Sequence, residues 1–229
     1  MKGLYILIIV VLIAAVLAYL AGKSTDSDLR RSFSKLGTAL EKLESDLAAL
    51  NEPISFLQGQ KRRTFILDKE RDSLRNKASQ LRIKLNAAQH NLENLSPEIR
   101  DTTEAFFAEL DKEMQQELSV VAFFSRKVNV LHGFVKEGYP LRSKVETLQT
   151  RMNGLVESRN KSGKPLSKDQ LSDVESYNYQ CEQIQNHMTL AMTTIHKDIE
   201  HGDIMAQTAI NELRKLIPNL EAFLEDLGK

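Results

Sequence analysis

The sequence predicts an all-α protein, with a single amino-terminal transmembrane helix followed by an elongated antiparallel coiled-coil or helical bundle of about four or five helices. An uncharged apolar run occupies residues 3–22, and apolar residues then repeat in steps of three and four along much of the chain. Repeats of this spacing are typical of helices that pack on other helices. The absence of tryptophan and the five scattered prolines also favour long helices over a sandwich or barrel.

The composition limits the classes of partner. With 229 residues and 41% hydrophobic residues, the chain can build a core of substantial size. The 31 basic residues are balanced by 31 acidic ones, so the chain lacks the positive field that nucleic-acid binding normally needs, and we expect no nucleic-acid partner. The single cysteine, Cys181, cannot form an intrachain disulfide and leaves the redox compartment open.

The first element is the predicted membrane anchor within residues 1–25. No charged side chain occurs from Gly3 to Gly22, and twenty helical residues span about 30 Å, the thickness of the hydrocarbon core of a bilayer. Tyr5 and Tyr19 lie near opposite ends, where amphipathic rings favour the membrane interface. We therefore predict a single-pass protein whose first partner is the lipid bilayer.

A cleaved signal peptide is the alternative interpretation of this run. Lys2 supplies a positive start, and Val16 with Ala18 fits the small-residue rule for cleavage before Tyr19. The run is longer than the usual apolar region of about 7 to 15 residues, which favours a retained anchor. The side of the membrane stays open, because the basic residues after the run favour a cytoplasmic body whereas the short leading segment is equally compatible with export.

The membrane-proximal stretch 26–57 predicts a coiled-coil seam. Its apolar residues alternate steps of four and three without exception, and a stripe this narrow must pack on a helix from this chain or from another copy. Pro53 lacks an amide hydrogen, so we expect a kink or break near Asn51 to Pro53. The predicted interface consists of Leu29, Phe33, Leu36, Leu40, Leu43, Leu47 and Leu50, and Ile54 and Leu57 continue the stripe.

A second seam runs through residues 58–95 and predicts another helix. Ser96 suits an N-cap and Pro97 suits the first helical position, so a turn is expected there. The alternative is a rod, in which one helix from Leu29 to Leu95 would reach about 100 Å. The seam residues are Leu67, Leu74, Ala78, Leu81, Leu85, Ala88, Leu92 and Leu95.

Charge supports a hairpin between 58–95 and a following helix at 97–138. Residues 61–93 contain nine basic and four acidic side chains, whereas residues 98–117 contain seven acidic and two basic ones. Opposite charges on adjacent antiparallel helices select their register. The expected neighbours are Arg82 and Lys84 with Glu109 and Asp111, and Arg75 and Lys77 with Glu117.

The remaining chain predicts two further helical segments. Pro140 is expected to end the core-like helix 97–138, and a new helix occupies 141–160. After a polar loop, Ser167 and Gln170 form a capping box that opens the C-terminal helical stretch 167–228. We expect that helix to pass through Gly202.

No motif for catalysis, a metal or a cofactor emerges. His196 and Glu200 lie four residues apart, but His201 points away from their face and a third ligand is missing, so a solvated helix face is the interpretation. Cys181 falls at an apolar seam position, where packing explains it better than nucleophilic chemistry. We therefore predict no enzymatic activity, no metal and no cofactor.

The favoured function is that of a membrane-anchored coiled-coil scaffold or adaptor that acts through helix–helix interactions. Its expected partners are a second copy of the chain or another helical protein. The alternatives are a ligand-sensing or regulatory bundle, with a pocket beside Phe123 and Phe134, and a membrane-remodelling or pore-forming bundle.

Overall fold

The computed structural model describes the backbone of residues 2–60, 65–94 and 96–228, and the side chains of residues 26–60, 66–94, 96 and 99–228. Over these residues the chain forms six helices and no strand, which confirms the all-α class. They are α1 (Lys2–Ala49), α2 (Asn51–Gly59), α3 (Phe65–Glu93), α4 (Pro97–Lys161), α5 (Lys168–Lys197) and α6 (Ile199–Leu227).

The predicted anchor falls within the first part of α1. Its backbone is helical from Lys2 onward. Only the backbone of Gly3, Tyr5, Tyr19 and Gly22 is described, so the transmembrane assignment stays a prediction.

The helices of the first two seams end near Pro53 and Pro97, as the sequence predicts. Helix α1 ends at Ala49 and α2 begins at Asn51, so one continuous helix from 29 to 95 is not formed. Pro53 lies in the first turn of α2, where backbone amides have no partner within the helix and the missing hydrogen costs little. Helix α4 begins at Pro97, directly after the expected turn.

Helix α4 differs from its prediction because it runs through Pro140 without a break. The expected division into 97–138 and 141–160 is therefore absent. Proline inside a helix costs about 3 kcal/mol, but buried side chains on both sides hold this one together. Phe134 precedes Pro140 and Val145 and Leu148 follow it, all in the core.

The C-terminal stretch 167–228 also differs, because it forms two helices and not one. Its start is as predicted, with the Ser167 capping box present. Helix α5 then ends at Lys197, α6 begins at Ile199, and only Asp198 separates them. The chain reverses direction at this corner, so Gly202 belongs to the second helix.

Asp198 and Gly202 make the corner possible. Asp198 is extended (φ −144°, ψ 103°); its N–H donates to the carbonyl of Thr194 at 2.7 Å, and its side chain accepts from the amide of His201 at 3.1 Å. One residue thus caps both helices. A Cβ on Gly202 would lie 2.4 Å from the backbone nitrogen of Ile195, so glycine is required by the close approach of the two helices.

The chain divides into two compact units, unit 1 (Met1–Asn51 and Phe65–Phe123) and unit 2 (Glu52–Thr64 and Phe124–Lys229). In unit 1, α1 packs closely and antiparallel against α3. The Nε of Arg82 donates to Glu44 at 2.8 Å. Seven residues earlier on α3, Arg75 donates to the side chain of Asn51, which lies seven residues after Glu44. Glu44 raises the pKa of the Arg82 guanidinium through this hydrogen bond and through charge attraction.

The first part of α4 completes unit 1 and runs parallel to α1. Arg100 on α4 donates to Asp26 on α1 at 3.0 Å, and the rings of Phe33 and Phe107 are 6.3 Å apart. Both pairs are separated by 74 residues in the sequence, as expected for parallel helices. Unit 1 is therefore a three-helix bundle whose middle helix is antiparallel to the other two. Its largest fully buried side chains include Leu36, Leu40, Leu43, Leu110 and Met114.

In unit 2, the second part of α4, α5 and α6 have the same arrangement, in which the middle helix is antiparallel to the other two. His187 on α5 contacts Glu212 on α6 at 2.9 Å, and the rings of Tyr177 and Phe223 are 4.9 Å apart, which is an antiparallel register. Its fully buried side chains include Phe134, Leu131, Met152, Met188, Ile195 and Ile210.

Helices α4 and α6 of unit 2 run parallel. Arg214 pairs with Glu137 at 3.1 Å, and Lys144 pairs with Glu221 at 2.8 Å, both with a separation of 77 residues. Each helix also contains a proline between its two paired residues, Pro140 in α4 and Pro218 in α6.

Candidate binding surfaces

The histidine cluster does not form a metal site in the described residues. His196 lies in the last turn of α5, whereas Glu200 and His201 lie in the first turn of α6, so the corner places them on different helices. Glu200 accepts a hydrogen bond from Arg126 at 3.0 Å. Over the part of the chain that the structure describes, no group of three His, Cys, Asp or Glu residues is placed to hold a metal ion.

Cys181 is buried in unit 2. Burial raises the pKa of its thiol, because the apolar surroundings disfavour the charged thiolate. The neutral thiol is a packing group, and the thiolate that a nucleophile requires is disfavoured.

The predicted coiled-coil interface is covered within its own unit. Phe33 is partly buried and contacts Phe107. The other six residues, Leu29, Leu36, Leu40, Leu43, Leu47 and Leu50, are buried in the core of unit 1. Packing within unit 1 therefore covers most of this stripe, and Leu29 and Leu36 keep exposed fractions of only 4% and 2%.

Large apolar side chains also occur on the surface. Phe123 is 63% exposed, whereas Phe134 is buried in unit 2, so the two do not line a common pocket as the ligand-sensing hypothesis expects. The exposed large apolar residues in the described chain are Ile66, Ile83, Ile99, Val120, Phe123, Leu171, Tyr179, Leu190 and Ile204.

Two of them share one face of α5. Tyr179 and Leu190, eleven residues and three turns apart, are 63% and 53% exposed. Their positions fall outside the buried stripe of α5, which runs through Val174, Cys181 and Met188. A face with two exposed large apolar residues is a candidate contact surface.

A groove between α5 and α6 lies beside Tyr179. Its volume is about 380 Å³, and Ile184 and Leu216 form an apolar floor. The pair between His187 and Glu212 crosses the groove at 2.9 Å. We name this surface the α5–α6 groove.

A second groove, between α3 and α4 in unit 1, is occupied by its own ion pairs. Lys77 donates to Glu117 at 2.7 Å, as the predicted register requires, and Lys84 donates to Glu113 at 2.6 Å in place of the expected Glu109 or Asp111. Because these lysines and glutamates pair with one another, this groove has no excess of either charge.

A third opening, the α1–α4 cleft, lies on unit 1 and has a volume of about 440 Å³. Leu29, Leu36 and Phe107 form its buried floor. Its polar walls carry Asp28, Ser32 and Lys35 from α1 and Glu104 and Asp111 from α4.

The described residues also contain one segment, Ile99–Lys161 in α4, that is long and apolar enough to cross a membrane by length and composition. Its apolar side chains include Val121, Phe124 and Val128, which are buried in the units. Core helices meet the same criterion, so length and composition alone do not assign this segment to a membrane.

Comparison of the chain with protein-family models, curated proteins and solved structures finds no match. The sequence predicted neither the α5–α6 groove nor the α1–α4 cleft, although the eleven-residue spacing of Tyr179 and Leu190 could have marked the exposed face of α5.

Proposed function

We propose that the chain is a membrane-anchored helical scaffold that binds a helix of another protein in the α5–α6 groove. The observation that carries this proposal is the exposed ring of Tyr179 beside a groove with an apolar floor. The proposal includes no catalytic step.

The shape and chemistry of the groove suit a partner helix. Amphipathic helices bind apolar grooves through side chains spaced three, four and seven residues apart. Tyrosine is enriched among the interface residues that dominate binding energy, and truncating such a residue typically costs about 2 kcal/mol or more. Leu190 extends the apolar face, so a bound helix would contact about three turns of α5.

The predicted anchor gives the scaffold its location. Residues 3–22 supply the apolar run, and α1 continues from it into unit 1 without a break. Tethering confines binding to the bilayer surface and raises the effective concentration of any partner in the same membrane. The proposal holds for either side of the membrane.

Site-specific photocrosslinking in native membranes tests the proposal. A photoreactive phenylalanine analogue at Tyr179 should give a discrete protein adduct, whereas the same analogue at Ile83, which is 69% exposed on α3, should not. Leu190→Glu should abolish the adduct without unfolding the chain, because Leu190 is exposed. Equal adducts at both positions, or no loss with Leu190→Glu, would contradict the proposal.

A ligand-sensing bundle is the second candidate, and the volume of the same groove supports it. Small-molecule pockets are about 300 to 1,000 Å³ and combine apolar walls with a few polar groups. The α5–α6 groove, at about 380 Å³ with the His187–Glu212 pair, meets both conditions. A ligand that raises the melting temperature of the wild-type chain but not of Glu212→Gln would favour this function.

A further inference from the structure

We propose that the α1–α4 cleft binds the Lys/Arg-rich juxtamembrane helix of a second integral membrane protein. This site lies on unit 1 and is separate from the α5–α6 groove. It depends on the predicted anchor but not on the partner proposed for the groove.

The cleft has the form of a helix-binding groove. The rings of Phe33 and Phe107 join α1 and α4 at 6.3 Å. Leu29, Leu36 and Phe107 line the bottom of the opening. An apolar side chain from a partner could enter there, as in other helix-in-groove complexes.

The polar walls carry an excess of negative charge. Asp28, Glu104 and Asp111 face the opening together with one cation, Lys35. In the described part of the chain none of the three carboxylates makes an ion pair, although Asp111 accepts a hydrogen bond from Gln115 at 3.4 Å. The α3–α4 groove differs in this respect, because lysines already neutralise its acids. The cleft therefore favours a cationic partner.

The spacing of the acids matches a helix. Glu104 and Asp111 lie seven residues apart on α4, which corresponds to about 10 Å along the axis. Lysine or arginine residues one heptad apart on a partner helix would meet both carboxylates while an apolar residue between them faces the floor. A single exposed ion pair contributes little to binding free energy. The proposed affinity therefore comes from the apolar contact together with the ion pairs at Glu104 and Asp111.

The position of the cleft beside the predicted anchor favours a membrane protein as the partner. Asp28 lies six residues after Gly22, or about 9 Å along α1, and Lys35 lies about 20 Å from Gly22. This proposal takes the body to lie on the cytoplasmic side of the membrane, where segments that flank transmembrane helices are rich in lysine and arginine. Such a segment emerges at the height of the cleft, and membrane confinement favours its encounter with the cleft.

The test uses the full chain in nanodiscs of neutral phosphatidylcholine and a synthetic single-span probe followed by a helix with lysines at heptad spacing. We expect saturable fluorescence energy transfer with the lysine probe, and binding at least about tenfold weaker with a glutamate version. A soluble lysine helix without the span should also bind at least about tenfold more weakly. Equal binding of the lysine and glutamate probes would overturn the proposal, as would failure of the chain to insert.

Matched variants locate the binding site. Changing the three cleft acids (Asp28→Asn, Glu104→Gln and Asp111→Asn) should weaken the lysine probe at least about tenfold. The control neutralises three exposed acids of α5, which changes the total charge by the same amount. Its affinity for the lysine probe should stay within about twofold of the wild type. The control substitutions are Asp173→Asn, Glu175→Gln and Glu182→Gln. Equal effects of both sets would show nonspecific attraction and refute the cleft.

Two further measurements separate this proposal from the proposed function. Leu190→Glu should leave probe binding unchanged, because that residue lies in unit 2. Conversely, the cleft variant should retain the photocrosslink at Tyr179. Loss of probe binding in Leu190→Glu would count against the cleft as the site.

Discussion

Replacing Gly202 with alanine should destabilise the corner between α5 and α6. The new Cβ would lie 2.4 Å from the nitrogen, 2.6 Å from the Cα and 2.7 Å from the Cγ1 of Ile195, whereas ordinary contacts are 3.4 to 4 Å. Two of these three atoms belong to the backbone and cannot rotate away. The helices must therefore separate by about 1 Å at the point where a single residue joins them.

The expected loss of stability follows from two opposing effects. Overpacking a core costs typically 1 to 3 kcal/mol, and the upper end applies here because backbone must move. Alanine is favoured over glycine within a helix by about 0.5 to 1 kcal/mol. We therefore expect Gly202→Ala to lower the free energy of unfolding by about 2 kcal/mol.

Gly154→Ala is the matched control. Gly154 lies inside α4, and its added Cβ would meet nothing within 4 Å, so only the helix preference changes and stability should rise by about 0.5 to 1 kcal/mol. Urea unfolding of the full chain in a mild detergent, followed by circular dichroism at 222 nm, measures both variants. Hydrogen exchange of the corner peptide tests whether the loss is local. A Gly202→Ala variant as stable as Gly154→Ala would refute the reasoning.

Three other predictions concern caps, charges and the buried thiol. Asp198→Ala should cost about 1 kcal/mol in urea unfolding, because the amide of His201 loses its acceptor; an unchanged midpoint would argue against the double cap. A double-mutant cycle on Lys77 and Glu117 should give a coupling of about 0.2 to 1 kcal/mol that shrinks in high salt, and a salt-independent value would contradict an electrostatic pair. Burial raises the pKa of Cys181, so the folded state holds the thiol proton more tightly than the unfolded state. The contribution of the Cys181 thiol to stability is complete below the ordinary thiol pKa and is lost as pH rises towards the pKa of the folded state. In urea titrations above about pH 9, the wild type should therefore lose more stability than Cys181→Ala. Parallel pH profiles of the two proteins would refute this prediction.

The sequence predicted burial better than it predicted contacts. The stripe from Leu29 to Leu50 is buried because its spacing marks one face of a helix, whichever helix covers that face. The covering helix could not be identified from spacing alone, since α3, a second copy or another protein would satisfy the same pattern. Charge correctly paired Lys77 with Glu117. The expected pairs of Arg82 and Arg75 with acids of α4 were wrong, because these two side chains bond to Glu44 and Asn51.

The two incorrect helix boundaries have different physical causes. At Pro140 a local helix-breaking preference was outweighed by buried neighbours, as tertiary packing often outweighs propensity. At Asp198 the apolar spacing continues across the corner, because Ile195, Ile199, Gly202 and Ala206 follow one another in steps of four and three. Periodicity therefore could not detect the reversal, although an aspartate N-cap was present as a local signal.

The candidate surfaces were beyond the reach of sequence reasoning for a related reason. Whether acids such as Glu104 and Asp111 are neutralised depends on which helix lies opposite them. Glutamates between α3 and α4 form ion pairs with lysines. Acids of the same kind between α1 and α4 line a cleft and make no such pairs in the described residues.

The two prolines of unit 2 bear on how that unit deforms. Pro140 and Pro218 lie in parallel helices, between the same two interhelical ion pairs, and therefore at a common level. Each lacks the amide that would bond to the carbonyl four residues earlier, so two helices lose a backbone hydrogen bond in one layer. Bending stiffness should be lowest there, and a force or a bound partner would flex unit 2 at this layer before it disturbed the helix turns on either side.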